Sequence, residues 1–421
     1  MKKQTITKAE NLSWFMWLCG GIFYAYQFVL RVSPTVMVQE IRADLSLQNC
    51  DLGILISYYY NGYAWLQIPA GFILDYMGPR RPIIWATGLC SVGCVLFGLG
   101  ETLFTMGIGR FMIGVGSAFA FLSALKIANL WFPKRLLPLM VSLTLLMGSL
   151  GATVAGIPLT LLIESYGWRI TLVIFGAIGF MLMGISACVV RDHPLHLQIE
   201  NRLEWSRIWA DFLFLIRSIQ TWIFGMFGFC MYVPLSGFGD LWGTSYVMAA
   251  YDISKMQASG HMTAFYLGIG LSGPAIAAMS DHLKTHSRVM RWTALLGFIS
   301  FVYLLYGPKV PLWMLGPYLF IAGGCVAGQF LAFTSVSVLN PTNLSGRATG
   351  VYNMFSMVSG VVAQPFIGSI LDICSPGEGE ASLIAFQYGL SVMPVVLFVS
   401  FILTFWMKES YSYKGVEFAA S

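Results

Sequence analysis

Charge is what this chain most lacks. Asp, Glu, Lys and Arg together make up only 10% of its 421 residues, with five histidines besides, against roughly a quarter charged in an average soluble domain. The sequence has no Cys, His and acid cluster at metal-ligand spacing and no GxxxxGK[ST] loop to cradle a nucleotide. Its aqueous segments are too short for a catalytic domain, so neither an enzyme nor a bound cofactor or metal is expected. The eight cysteines form no redox motif. Cys90 and Cys94, one helical turn apart, read as small apolar packing residues. Cys50 and Cys374 both fall on the predicted outer face, and a disulfide between them is not expected.

What is present is apolar: 57% of the residues are hydrophobic. About 20 such residues span the hydrocarbon of a bilayer, and twelve stretches qualify, near 14–38, 52–74, 82–100, 104–131, 136–163, 168–190, 219–249, 260–280, 289–308, 311–339, 346–372 and 382–407. Their all-round apolarity excludes a β-barrel, whose strands alternate. The expected fold is therefore an all-α membrane protein with twelve transmembrane helices. With both termini in the cytoplasm, most of the 24 Lys and Arg fall inside, among them Arg80, Arg81, Lys134, Arg135, Arg191, Arg217, Lys284, Arg288, Arg347 and Lys408. Outside lie Arg42, Arg169, Lys255 and Lys309. This is the positive-inside pattern, so the net charge of +5 is a topology signal and no nucleic-acid partner is implied. The first apolar run is too long for a cleavable signal peptide and has no small-residue cleavage site.

The chain reads as two similar halves: a six-helix bundle over 1–190, a cytoplasmic linker over 191–217 and a second six-helix bundle over 218–421. The linker is the one long charged segment. Its periodic Trp205, Ile208, Trp209 and Phe212 predict an amphipathic helix at the membrane surface. GFILDYMGPRR (Gly71–Arg81) after the second stretch and AAMSDHLKTHSR (Ala277–Arg288) after the eighth superimpose Asp75 on Asp281, as duplication would. Gly71, Asp75, Gly78, Arg80 and Arg81 match the signature loop of the major facilitator superfamily. GRFMIGVGSA (Gly109–Ala118), led by Arg110, resembles its second signature. The resemblance covers nearly the whole chain and implies two pseudo-symmetric six-helix bundles rocking about a site near the bilayer midplane. Glycine permits the short loop to turn and pack closely. Gly71, Asp75, Gly78, Arg80, Arg81, Arg110 and Asp281 then become gating residues, with Asp75 accepting hydrogen bonds at a helix end across the seam when the inside is closed.

Finer resemblance lies in YQFVLRVSPTVM (Tyr26–Met37) and GFGDLWGTSYVMAAYDIS (Gly237–Ser254), which look like a bacterial branch containing phagosomal amino-acid transporters and, distantly, the lysosomal dipeptide transporter. The first helix also resembles that of organic-anion and sugar-acid symporters, in which an Asp-Arg pair serves proton and carboxylate. Here that pair is Leu30-Arg31, and a second acid of those symporters corresponds to Ser117. MGSLGATVAGIPLTL (Met147–Leu161) lacks the full Gly-Pro pattern of drug antiporters.

A cation inside an apolar helix costs several kcal/mol unless compensated, so Arg31 is expected to bind a substrate carboxylate, with an internal pair to Asp240 as the alternative. Asp240, the one acid of the seventh stretch, sits near Pro234, Gly237 and Gly239. A half-unwound helix there would line a cavity, making Asp240 an ammonium partner or proton site; the other reading is an aspartate at the outer mouth. Gln27, Tyr59, Tyr63, Gln329 and Asn353 complete the expected substrate-binding set. Gln67, Asn340 and Gln364 are further polar groups, whose alternative role is to glue helices together. Lys126 is expected to snorkel to the cytoplasmic surface, and His261 reads as an interfacial bystander. The resulting expectation is a monomeric permease of a bacterial inner membrane whose partners are the lipid bilayer and a small-molecule substrate. That solute would be small and zwitterionic or anionic, an amino acid or short peptide first. Siderophore, nucleoside or sugar-acid transport and a transport-dead receptor or scaffold are the alternatives. Proton coupling is left open.

Overall fold

The computed structural model describes residues 2–192, 205–341, 344–375 and 381–411, and among them every regular element is helical. Eleven helices are long and apolar enough to cross a membrane: α1 (Leu12–Val36), α3 (Arg80–Leu99), α4 (Leu103–Trp131), α5 (Leu139–Tyr166), α6 (Trp168–Val189), α7 (Ile219–Tyr251), α8 (Lys255–Leu283), α9 (His286–Tyr306), α10 (Leu312–Leu339), α11 (Ser345–Cys374) and α12 (Leu383–Leu403). The twelfth, α2 (Asn49–Met77), is 29 residues long but the more polar for its YYYNGY run and Gln67. The twelve-helix expectation is met. Large apolar side chains such as Trp85, Phe104 and Trp313 lie exposed on the outside of the bundle, where lipid rather than water is the compatible solvent.

Local sequence sets the helix ends. Thr102 caps α4 and Ser254 caps α8, each in a reciprocal capping box, with Thr105 and Gln257 as the returning partners, so that orphan amide donors at each helix start are satisfied. Gly78 takes φ +74° between α2 and α3, a conformation glycine adopts without steric cost. The linker segment 193–204 lies outside the described residues. The amphipathic helix expected there appears as Trp205–Ile216, and Asp211 on it forms an ion pair with Arg347 at the start of α11.

After α12 the chain turns back onto the start of α9, where Glu409 acts as a cap supplied from a distant segment. Its carboxylate accepts from the Thr285 and Ser287 hydroxyls and from the His286 amide, at 2.5, 2.6 and 2.9 Å. Partial burial alone would raise the Glu409 pKa, but these donors and the Tyr411 amide override it and hold the group down at about 2, from an ordinary 4.5. A carboxylate depressed on docking stabilises the docked form above its ordinary pKa and loses that contribution as pH falls through the docked value. Glu409→Gln is therefore expected to lower the thermal midpoint at pH 7 by the equivalent of about 1 kcal/mol, the usual worth of a helix cap. The gap to wild type should narrow steadily as the assay pH is taken from 5 toward 3; a gap that does not change with pH would refute the charge-based account.

Candidate functional site

Two buried arginines and one buried aspartate form the centre. α1 carries Arg31 into the bundle and α7 brings Asp240 to it: Arg31 Nε donates to Asp240 Oδ2 at 2.7 Å, with the two side chains 4% and 1% exposed. Contrary to the expectation from its Pro and Gly content, α7 is not half-unwound at this point. It continues as a π-helix over Pro234–Trp242, and such wide turns recur at functional sites. Nor is Asp240 at an outer mouth, because it is fully buried. Tyr266 of α8 donates to Asp240 Oδ1 at 2.9 Å, and Tyr60 of α2 donates to Oδ2. Of the alternatives for Arg31, the internal pair to Asp240 is the arrangement present.

A buried ion pair tolerates desolvation only with good geometry and satisfied lone pairs, which the two tyrosines supply on the acid side. On the base side the Arg31 guanidinium lies 5.1, 5.6 and 5.3 Å from the ring centres of Phe28, Tyr60 and Tyr232, and these faces replace part of its hydration. Arg31 Nη2 has no hydrogen-bond partner. Tyr60 and Tyr266 were not singled out from sequence. Tyr60 lay within a run of tyrosines whose inward members the spacing alone did not fix.

Next to this pair, Tyr59 donates to Gln27 Oε1 at 2.8 Å, and its ring packs at 5.9 Å from that of Tyr63. Arg110 of α4 is 1% exposed; its Nη1 donates to the Leu30 carbonyl at 2.8 Å, while its guanidinium lies 5.2 and 5.5 Å from the Tyr59 and Phe97 rings. Arg110 Nε and Nη2 have no hydrogen-bond partner. Gln27, Arg31, Tyr59, Tyr63 and Asp240 thus lie together, and Arg110 lies beside them. Asn353, with Gln67, lies against Tyr63 and so borders the same set. Asn353 Nδ2 donates to Gln67 Oε1 at 2.5 Å. The Gln329 carbonyl accepts from Tyr352 at 3.0 Å, while both side-chain amide atoms of Gln329 are unpartnered.

The predicted outer end is closed by contacts between the first six and the last six helices. Thr35 bonds to Thr244 at 3.0 Å, Thr160 donates to Ser259 at 3.3 Å, and Glu40 pairs with Lys255. The strongest of these contacts was missed from sequence. Asp372, near the end of α11, accepts from the Asn49 amide, the Asn49 side chain and the Cys50 amide at 2.8, 2.8 and 2.7 Å, so a carboxylate from one half caps the N-terminus of α2 in the other. Gly53 allows the approach, since a Cβ there would sit 2.5 Å from the Gln364 carbonyl. Asp372→Ala removes the cap at a cost of about 1 to 2 kcal/mol. The native Cys50 thiol is then expected to react with a membrane-impermeant maleimide roughly five- to thirtyfold faster, read residue by residue by mass spectrometry. Unchanged Cys50 reactivity would rule Asp372 out as a clasp. All eight cysteines are free, Cys50 and Cys374 included, and Cys90 and Cys94 are buried as expected.

The signature loop occupies the other end. Asp75 does not reach the last six helices here; it pairs at 2.6 Å with Lys126 of α4 and stays 62% exposed. Lys126 therefore has a partner and is not simply snorkelling. Gly71 has no atom near enough to meet a Cβ, so the close packing expected there is not made in this conformation. The Arg80 amide bonds to Asp192 at 3.2 Å and its guanidinium to the Ala187 carbonyl at 3.1 Å, tying the loop to the end of α6, while Arg81 is exposed. Asp281 is also exposed, and its carbonyl accepts from the Tyr411 hydroxyl at 3.3 Å.

A charged centre enclosed by twelve spanning helices, with contacts between the halves closing one end, defines a multi-pass membrane transporter rather than an enzyme. The chain belongs to the Major Facilitator Superfamily, whose family model matches residues 16–364. It is similar to a probable sulfoacetate transporter of Cupriavidus necator, 23% identical over 86% of this chain and 94% of that protein. It is also similar to a probable galactarate/D-glucarate transporter of Escherichia coli, 22% identical over 94% and 95%. A crystal structure of a nucleoside transporter shares the fold at TM-score 0.73 and 14% identity, covering 92% of this chain and 99% of that one. Neither relative is named for an amino acid or a peptide, so the finer resemblance drawn from Tyr26–Met37 and Gly237–Ser254 finds no support in them.

Proposed function

We propose that this protein is a secondary transporter of small organic anions of the sugar-acid type, moving them across a bacterial inner membrane by alternating access. The observation that carries the reading is Arg31: a guanidinium fixed inside the bundle, with a free Nη2 and a single exchangeable carboxylate as its ionic partner. A substrate carboxylate matches that planar fork as well as Asp240 does. The names of the two relatives point the same way, since sulfoacetate, galactarate and glucarate are all organic acids.

The rocking bodies are residues 1–190 and 218–421, joined by 191–217, with both termini cytoplasmic and the protein acting as a monomer. In the conformation described, Asp372 clasps the outer end while Asp75 is turned away from the seam. The test is uptake into proteoliposomes, preceded by a thermal-shift screen of purified protein against sugar acids, sulfonates, amino acids and dipeptides. Stabilisation and uptake confined to the acids are expected, and response to amino acids or dipeptides alone would overturn the reading. Asp75→Asn should keep binding and slow turnover; loss of binding with folding intact would remove it from the gate.

A further inference from the structure

We infer that Arg110 is a second substrate-anion group, so that the centre is built for a solute with two anionic ends, one held by Arg31 and the other by Arg110. This deepens the organic-anion reading and rests on it. Among the described residues, the buried arginines, lysines and acids number three: Arg31, Arg110 and Asp240. Arg31 and Asp240 neutralise one another. Arg110, 1% exposed, makes no ion pair of its own among the described residues and feels Asp240 only at longer range, with one bond to a backbone carbonyl and two guanidinium nitrogens unpartnered. Buried charges are otherwise paired, and buried polar atoms left without partners call for a missing group.

The two guanidinium groups are neighbours. Arg110 holds the carbonyl of Leu30, the residue preceding Arg31. Arg31 lies over Tyr60 and Arg110 over Tyr59, and those rings meet edge to face at 5.3 Å. The free nitrogens of both arginines thus border one aromatic pair. Leu30 and Ser117 carry no charge to set against Arg110, and the Ser117 hydroxyl lies 3.8 Å from the Cys90 thiol and against the Tyr59 hydroxyl.

Charge balance then ties the solute's charge to the protonation of Asp240. With Asp240 ionised the centre carries one net positive charge. When a proton from solution occupies Asp240, Arg31 is released and the net charge is two, which a dianion cancels. The groups facing Asp240 are Arg31 from α1, Tyr60 from α2, Arg110 from α4, Tyr266 from α8 and Tyr232 from α7 itself. The two hydrogen-bonded tyrosine hydroxyls are able to hold the acid in either protonation state. In the protonated state a monoanion leaves one guanidinium unpaired and buried.

The experiment compares matched pairs as competitors of binding and as transported solutes in proteoliposomes: D-glucarate against D-gluconate, and sulfoacetate against acetate. In wild type the dianion of each pair that binds is expected to be preferred roughly tenfold to a hundredfold, the worth of one set of charge-assisted hydrogen bonds. Arg110→Gln should reduce that preference to about threefold or less by weakening the dianion alone, and Arg110→Lys should restore part of it. A purely structural Arg110 would weaken both members of a pair equally, and that outcome overturns the inference, as does equal affinity for the two in wild type even if Arg110→Gln fails to fold. Binding of monoanions as tight as dianions leaves the organic-anion reading standing and removes only this one; no binding of any of the four removes both.

Discussion

Arg31→Ala is expected to abolish uptake and to destabilise the protein by about 3 to 5 kcal/mol, because it strands Asp240 as an unpaired buried charge. The Arg31→Ala, Asp240→Ala double variant separates two roles that the single variant confounds. With both charges gone, the desolvation penalty disappears along with the attraction, and much of the lost stability is expected to return, as it does when buried ion pairs are replaced by uncharged groups. Transport should not return, since no group remains to take the substrate carboxylate. Thermal midpoints in detergent measure the first quantity and proteoliposome uptake the second. Recovery of both would mean that the pair is helix glue and that the solute is bound elsewhere. Arg31→Lys should keep the charge and still transport poorly, because a lysine ammonium cannot reproduce the bidentate fork.

The second large effect concerns energy coupling. Asp240 is the one buried carboxylate among the described residues, and coupling requires a group whose protonation differs between states. In Asp240→Asn, accumulation driven by a pH gradient is expected to vanish while exchange of labelled for unlabelled substrate persists. The amide oxygen still accepts from one of the two tyrosines while its NH2 donates to the hydroxyl oxygen of the other, and it carries no titratable proton. The measurement is uptake with and without an imposed pH gradient, alongside counterflow at symmetrical pH. Accumulation against a gradient in Asp240→Asn would place the coupling group elsewhere, and a wild type that never accumulates would make the protein a uniporter.

The spans were legible because twenty apolar residues in a row have few alternatives to a spanning helix. Even so, α2 is a spanning helix that apolarity alone underrates, and its length and tyrosines had to be weighed together. The loop signatures were legible for a different reason: turn geometry leaves a local trace, and Gly78 sits at the positive φ that such a turn requires. Long-range pairing left no such trace. That Arg31 would meet Asp240, 209 residues away, was available as one of two readings, and only the packing of α1 against α7 selected between them. Asp372 could not be found at all, since a lone aspartate near a helix end looks the same whether it caps another helix or faces water. Tyr60 shares this difficulty, because a run of three cannot say which ring turns inward. Arg110 reads from its motif as a gating residue; that two of its guanidinium nitrogens lack partners is visible only in the packed structure.

The clasp at the outer end has a kinetic meaning. It is made by a carboxylate and three N–H groups, not by interdigitated aliphatic side chains, and every partner in it is one that water readily solvates. When the halves separate there, water takes over each hydrogen bond as it breaks, so the step is close to an exchange of equals. An apolar plug would have to expose its whole surface before anything was regained. A polar seal of this kind holds a definite closed geometry and yet opens over a low ridge, a property suited to a door that must swing once for every solute carried.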